Sequence, residues 1–504
     1  MNRPSARIAA AALATLLLAA APARAERDPR SNFDRDFSRT MAVKTGQRLD
    51  IDHSQGAIRI TTHPAPEIRI KAHITVSSSD ADGAQKFGEG IAIAVEDTAS
   101  AVVVRTKYPD KKWHFSGSGH ISYSVDYDIV VPETMPVTAR NKFGDVAAEG
   151  LKAGSSISNA NGKVAFRNGT GVQKIENSFG SIEVIRNAGA VGVSGANGSV
   201  TVAEVDGPVE IRNRFGSVTA RRIQGKLTIT GSNGSVTVEE VTGPAEIVNS
   251  FGAVALRTVK GALEVENSNG TVTAEGVSGN ATVSNSFGAV KLTGIGGDAS
   301  VNGSNSGVTV MDVAGAAEIR GSFGKIEAAR IKKGLRVTGE NSGVMVADVG
   351  GAANLRTSFG LVEAERIQGD LTVENSNGGV RAAGIQGAAS IRTSFSQVLL
   401  DGVGGRVDVD NSNGSIEVRG VGAKTGACVP VSLRTSFGPI RILLPENAGY
   451  SVEARTSFGK IKSELPLMSS GSMTSESLIG RLGDGKCPLT LLDSNGSIEL
   501  LKTK

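Results

Sequence analysis

Phe-Gly pairs end at Gly144, Gly180, Gly216, Gly252, Gly288, Gly324 and Gly360, each 36 residues after the one before. Midway between them, Asn-Gly pairs end at Gly162, Gly198, Gly234, Gly270, Gly378 and Gly414, and Asn305-Ser306-Gly307 and Asn341-Ser342-Gly343 take the two remaining places. The unit is therefore 18 residues. A unit so short cannot bury a core by itself and must stack on copies of itself, which makes the chain a solenoid rather than a set of separate globules.

Aligning the units on the corner glycine superimposes one apolar pattern: Val218, Ala220, Ile223, Leu227 and Ile229 in one copy, Val236, Val238, Val241, Ala245 and Ile247 in the next. Short alternating runs separated by turns describe two or three brief strands per coil with one face buried. Gly225 and Gly243 mark the turn opposite the Phe-Gly or Asn-Gly corner. The expected fold is all-β: a single-stranded parallel β-helix, or β-solenoid, of 18-residue coils over residues 140–422. The crossover preference of parallel strands favours right-handed winding, although left-handed hexapeptide solenoids share this coil length. A β-propeller fits less well, because the second half of each 36-residue period repeats the first, whereas the strands of a blade are inequivalent.

Ten of the 15 phenylalanines stand at the corner: Phe143, Phe179, Phe215, Phe251, Phe287, Phe323, Phe359, Phe395, Phe437 and Phe458. With Phe alternating with Asn, successive rings lie ~9.6 Å apart at the usual strand spacing, beyond the range of direct ring stacking. The expectation is that each ring fills a corner pocket over the smaller Asn coil; the alternative turns the rings outward as platforms for sugars. Beside them run a serine column and a column of Asn177, Asn213, Asn249, Asn267, Asn285, Asn375 and Asn411, suited to amide ladders between coils. An arginine column, including Arg212, Arg320, Arg356 and Arg392, is broken by Glu374 and Asp410. It reads as a cross-strand charge ladder or as a stripe for an anionic polysaccharide or phosphate.

Residues 1–25 have the form of a secretory signal, with Arg3 and Arg7 before the apolar run Ile8 to Ala20 and a small-residue cleavage site at Ala23-Arg24-Ala25. Without them 51 basic residues face 50 acidic ones. So balanced a charge, with few aromatics outside the corners, excludes a nucleic-acid footprint. No later run is long enough for a membrane span. The expected address is exported: periplasmic, attached to the cell envelope, or secreted. In such an oxidising compartment Cys428 and Cys487, the only cysteines, are expected to form a disulfide in an irregular C-terminal region, 423–504.

Residues 26–139 do not keep the 18-residue spacing and read as a β-rich cap over the open strand edges of the rod. All five histidines lie there, and Trp113, His114 and Phe115 mark a candidate recognition segment. The ten-residue spacing of His53, His63 and His73 is no metal motif. The repeats contain no histidine, so they hold no Ser-His or Cys-His nucleophile. No catalytic residue, cofactor or metal site is expected.

From Val131-Pro132 through Phe143-Gly144-Asp145-Val146 and the serial glycine coils that follow, the chain resembles a bacterial domain family of unknown function labelled "putative adhesin". The resemblance covers most of residues 40–500. It implies an exported or envelope-associated β-solenoid with an irregular start, and it brings no catalytic residues. The function expected is a non-enzymatic adhesin-like binding or structural rod, with an envelope glycan or surface protein as partner. Two alternatives stand beside it. One is a self-assembling scaffold using Leu489–Leu492 and Ile498–Leu501 as a strand edge; the other, a polysaccharide lyase or hydrolase, lacks the paired carboxylates such chemistry requires.

Overall fold

The structure, a computed structural model, describes residues 31–109, 121–422, 428–469 and 474–503. It is nearly all β, a stack of parallel coils of about 18 residues that forms a β-solenoid of about 16 turns.

Each coil has two strands, and the coil from Val209 to Lys226 shows why. Its first strand, Val209–Phe215, buries Val209, Ile211 and Asn213 and exposes the residues between them. The chain turns at Gly216, and the second strand, Val218–Ile223, buries Val218 and Ala220. Arg221 and Arg222 then both face outward before Ile223 returns to the interior. Strict alternation would put Arg222 inside. It stays out because its backbone adopts a left-handed conformation, φ 51°, which bends the strand and resets its phase. The same bend recurs at 18-residue intervals through Arg186, Glu204, Glu240, Asp312, Arg330, Asp348 and Arg366, and glycine takes the position at Gly276, Gly294, Gly384 and Gly402.

Coils stack in register at a shift of 18 residues, as in Val209 against Leu227 and Val218 against Val236. First strands build one long parallel sheet and second strands another, with the apolar column between them. At the corner, Gly216 has φ 107°, and a Cβ there would lie 2.4 Å from the carbonyl oxygen of Gly198 one coil earlier. Glycine is thus required twice over, by dihedral and by contact.

At the N-terminal end, β1 (Ser31–Ala42), β2 (Arg48–Asp52), β3 (Ile58–His63) and β4 (Glu67–Ser78) precede helix α1 (Ala81–Gly90). Then follow β5 (Ala92–Asp97), β6 (Ala101–Lys107), β7 (Ile121–Pro132), β8 (Val137–Phe143) and β9 (Val146–Glu149). One sheet ends in the antiparallel series β1, β4, β7 and the other in the antiparallel pair β5, β6. Asp80 caps α1 by accepting from the Gly83 amide at 3.0 Å, and the helix buries Ala84 and Phe87. The outermost strand β1 carries Asp34, Arg35, Asp36 and Arg39, charges that discourage edge-to-edge pairing. The coil made of β2 and β3 does not lie at the end of the stack: β2 is paired on both sides by β6 and β8, and β3 by β7 and β9.

The C-terminal end repeats this interleaving. Strand Cys487–Asp493 pairs with Val431–Phe437 on one side and Tyr450–Arg455 on the other. Ile498–Lys502 likewise lies between Ile440–Leu444 and Ile461–Ser463. The last coil in sequence is therefore an inner layer of the stack. This corrects the expected strand edge at Leu489–Leu492 and Ile498–Leu501: both segments are paired on both sides, and Leu489, Leu491, Ile498 and Leu500 are fully buried. Cys428 and Cys487 are joined, with Cα atoms 5.4 Å apart, which ties the inserted coil to the chain entering its neighbour.

Candidate functional site

The corner phenylalanines are not in pockets. Nine of them are between 46% and 55% exposed, and Phe458 is 83% exposed. This corrects the expectation that the rings fill the corners, and the cause is backbone geometry. In Val209–Phe215 the seventh residue would be the fourth inward one, but the chain is already turning and Phe215 swings outside. The inward place below it is closed by Asn213, whose Nδ2 donates to the carbonyl oxygens of Gly198 at 3.1 Å and Gly216 at 2.9 Å.

The buried asparagines thus hold the corners. Asn177 donates to the carbonyls of Gly162 and Gly180 at 2.8 and 3.0 Å. Asn249, Asn267 and Asn285 also form the expected amide ladder, with Nδ2 to Oδ1 distances of 3.2 and 3.1 Å. Threonine substitutes with its hydroxyl: Thr357 donates to the carbonyls of Ser342 and Phe359, both at 3.0 Å.

Outside these clamps runs a regular edge. Phe143 pairs in register with Asn161, Asn161 with Phe179, Phe179 with Asn197 and Asn197 with Phe215. The alternation continues to Asn413 and Phe437. In sequence it then breaks, since Phe437 is followed by Phe458 with no Asn-Gly corner between them. In space it is restored by the inserted coil. The backbone amide of Asn495 donates to the Ser436 carbonyl at 3.0 Å, and the Phe458 amide donates to the Ser494 carbonyl at 2.9 Å. Gly438, Gly496 and Gly459 stack as the other corner glycines do.

The arginine column is largely neutralised. Arg212 pairs with Glu210, Arg320 with Glu318 at 2.5 Å, and Arg356 with Glu374 at 3.8 Å. Arg392 stands in register between Glu374 and Asp410. These arginines do not converge on one point. Arg212 and Arg320 are on separate coils far apart in the stack, whereas Arg356 and Arg392 share an open groove of about 360 Å³ with Ser358, Ser376, Ser394 and Ser412. That groove runs beside the Phe edge, one residue from Phe359 and Phe395. Trp113, His114 and Phe115 lie outside the described residues.

A second charge ladder, missed in the sequence, follows the left-handed bend. Arg330 holds Asp312 through two bonds of 2.5 and 2.8 Å, and Arg366 holds Asp348 at 2.6 and 3.0 Å. Hydrogen bonds from these guanidiniums hold both carboxyls below the ordinary carboxylate pKa. Exposed pairs of this kind add little to stability, being screened by solvent, and chiefly fix register. The readable signal was two outward residues in succession, as at Arg221 and Arg222.

The described histidines of the cap, His53, His63 and His73, do not meet. His53 is buried, with Nδ1 3.0 Å from Thr106 Oγ1 and its ring edge-on to Tyr127 at 4.9 Å. His63 bonds the Glu67 carbonyl at 2.8 Å, and His73 bonds Asp36 at 2.8 Å. Among the described residues no group of three or more His, Cys, Asp or Glu could hold a metal. Among them, too, no helix is long and apolar enough to cross a membrane.

The architecture defines the class: a capped parallel β-solenoid with one aromatic and amide edge. No protein-family model matches the chain, and no curated protein matches it. Among solved structures it is similar to a "putative cell adhesion protein" from Clostridium sporogenes, at 11% identity over 51% of this chain and 100% of that one, with a TM-score of 0.18. A likeness of that size carries no functional argument. The β-solenoid implied by the sequence resemblance is present; membership of the adhesin-labelled family is carried by no family model.

Proposed function

We propose that this chain is a non-enzymatic, exported, adhesin-like rod that binds or organises material at the cell envelope or outside the cell. The observation that carries this reading is the row of half-exposed phenylalanines held on one edge of a rigid stack. Burying such rings would stabilise the fold, and their regular exposure on alternate coils along a single edge is what a repeated interaction surface requires. Export is supported by the signal-like residues 1–25 and by the disulfide, which persists in oxidising compartments. The repeats offer regularity where catalysis would need a local break in it. Many of the column charges pair within the rod, as at Arg212, Arg320 and Arg356, and long stretches of the Phe edge carry no charge, which leaves that edge as the surface for a partner.

The test is cosedimentation of the protein lacking residues 1–25 with purified envelope fractions across a salt series, with a tube without envelope spun alongside. Pelleting only with envelope is the expected result, and persistence at high salt separates the uncharged edge from the arginine column. Pelleting in both tubes would replace the reading with self-assembly, and pelleting in neither would remove envelope binding.

A further inference from the structure

Resting on the binding-rod reading, we propose that the Phe and Asn edge is a binding site for an extended, uncharged polysaccharide laid along the rod axis, with one phenylalanine per two sugar residues. Three observations converge on it.

The first is spacing. Phenylalanines on alternate coils are ~9.6 Å apart at ordinary strand separation, too far for the rings to stack on one another. That interval is close to two pyranose units of an extended β-linked chain. A pyranose presents an apolar C–H face of slight positive charge, which complements the negative face of an aromatic ring.

The second is the chemistry between the rings. From Asn249 to Gly307 the corner segments 249–253, 267–271, 285–289 and 303–307 contain Phe, Asn, Ser, Gly, Ala and Thr and no charged residue. Segments 357–361, 375–379, 393–397 and 411–415 are likewise uncharged, while elsewhere the edge carries isolated charges at Arg214, Glu340 and Lys325, the last paired with Glu327. Amides and hydroxyls between exposed rings suit a polyol, whereas a polyanion would call for unpaired cations. The edge is one side chain wide, which suits a linear polymer better than the broad patch that a stable protein partner needs. The groove beside Phe359 and Phe395 adds Ser358, Ser376, Ser394 and Ser412, along a floor where Arg356, Glu374, Arg392 and Asp410 alternate in charge.

The third is that the pattern survives a break in chain order. Closing the stack between Phe437 and Phe458 needs only a glycine corner, yet the segment inserted there brings Asn495 as well. The buried amides beneath the corners keep the row preorganised, so little ordering is required on binding.

The experiment is titration of the disulfide-bonded protein with a panel of linear neutral polysaccharides (β-glucan, xylan, mannan and galactan), each in a length series, with a polyanionic glycan as control. Binding by a neutral glycan is expected, with affinity that rises with chain length and resists salt. A triple variant, Phe251→Ala with Phe287→Ala and Phe323→Ala, should lose roughly tenfold or more, because three aromatic contacts are removed, while its Tm stays near that of the parent. Failure of every neutral glycan, equal binding by the triple variant, or preference for the polyanion would each overturn the assignment. If envelope fractions still pellet both proteins in that case, the edge assignment alone falls; if they pellet neither, the binding-rod reading falls with it.

Discussion

Asn495 grips the carbonyl oxygen of Ser436 twice, through its backbone amide and through Nδ2, both at 3.0 Å. The two residues are far apart in sequence and one layer apart in space. The contact seats the C-terminal coil between Phe437 and Phe458.

The residue beneath this corner departs from its column. Asp493 stands where most coils bury Asn or Thr, in register with Thr435, and its Oδ2 has no partner. Burial raises its pKa above the ordinary carboxylate value. An acid raised in the folded state stabilises the fold in its protonated form, so its contribution is full below the unfolded pKa near 4 and is lost as pH rises through the folded value. Asp493→Asn supplies a donor to the corner carbonyls and should gain about 1 kcal/mol at neutral pH. Urea unfolding of both proteins at acidic and neutral pH checks this, and the gap should close at the acidic end.

His53 predicts the opposite slope. Burial pushes its pKa from 6.5 down to about 4, against the opposing pull of nearby groups that include Asp126 and Asp52. The unfolded chain takes up the proton first, so stability is full above the unfolded pKa and falls as pH drops through the window from 6.5 to about 4. The loss should be on the order of 3 kcal/mol. In His53→Gln the unfolding midpoint should change less over this window, and an unchanged slope would remove His53 as the cause.

Reducing the Cys428–Cys487 bond opens a loop closed over a sequence separation of 59. Chain entropy assigns such a loop about 4 kcal/mol. Limited proteolysis with and without reductant should place the first new cleavages after Cys428, while the repeats between 140 and 422 stay intact. First cleavage inside the regular coils would contradict a local role for the bond.

Two phenylalanines should behave as different residues. Phe166 is fully buried in the second strand of its coil, and Phe166→Ala should cost about 3–5 kcal/mol. Phe287 is half exposed at the edge, and Phe287→Ala should cost under about 1 kcal/mol. Denaturant midpoints of the two variants measure the contrast directly.

Much of the rod is legible in the chain because Val218, Ala220, Ile223 and their 18-residue copies report a steric requirement that every coil shares. The orientation of the corner rings is not. Phe215 falls on the inward beat of its strand, and only the turn at Gly216 throws it out, a property of backbone geometry rather than of side-chain type. Charge pairing is half legible: Arg356 and Glu374 sit one period apart, but the partners at Asp312 and Arg330 meet because of a bend that alternation alone does not announce. The exchange of layer order at the C-terminus leaves one trace, an Asn-Gly corner at Asn495 left over after Phe437 and Phe458 fall together. Pattern matching along the chain passes over that trace because stacking order is assumed to follow sequence order.

The burial of Cys487–Lys502 inside the stack also sets an order in time. Residues 487–502 form a layer that its neighbours, which precede it in the chain, must leave open or reopen to receive. A chain cut short before Cys487 therefore lacks an internal layer, with the coils at 431–444 and 450–463 facing each other across a gap they were not shaped to close. The stack is closed only when this late segment has entered it, and a molecule without it is marked as incomplete by its own unpaired strands.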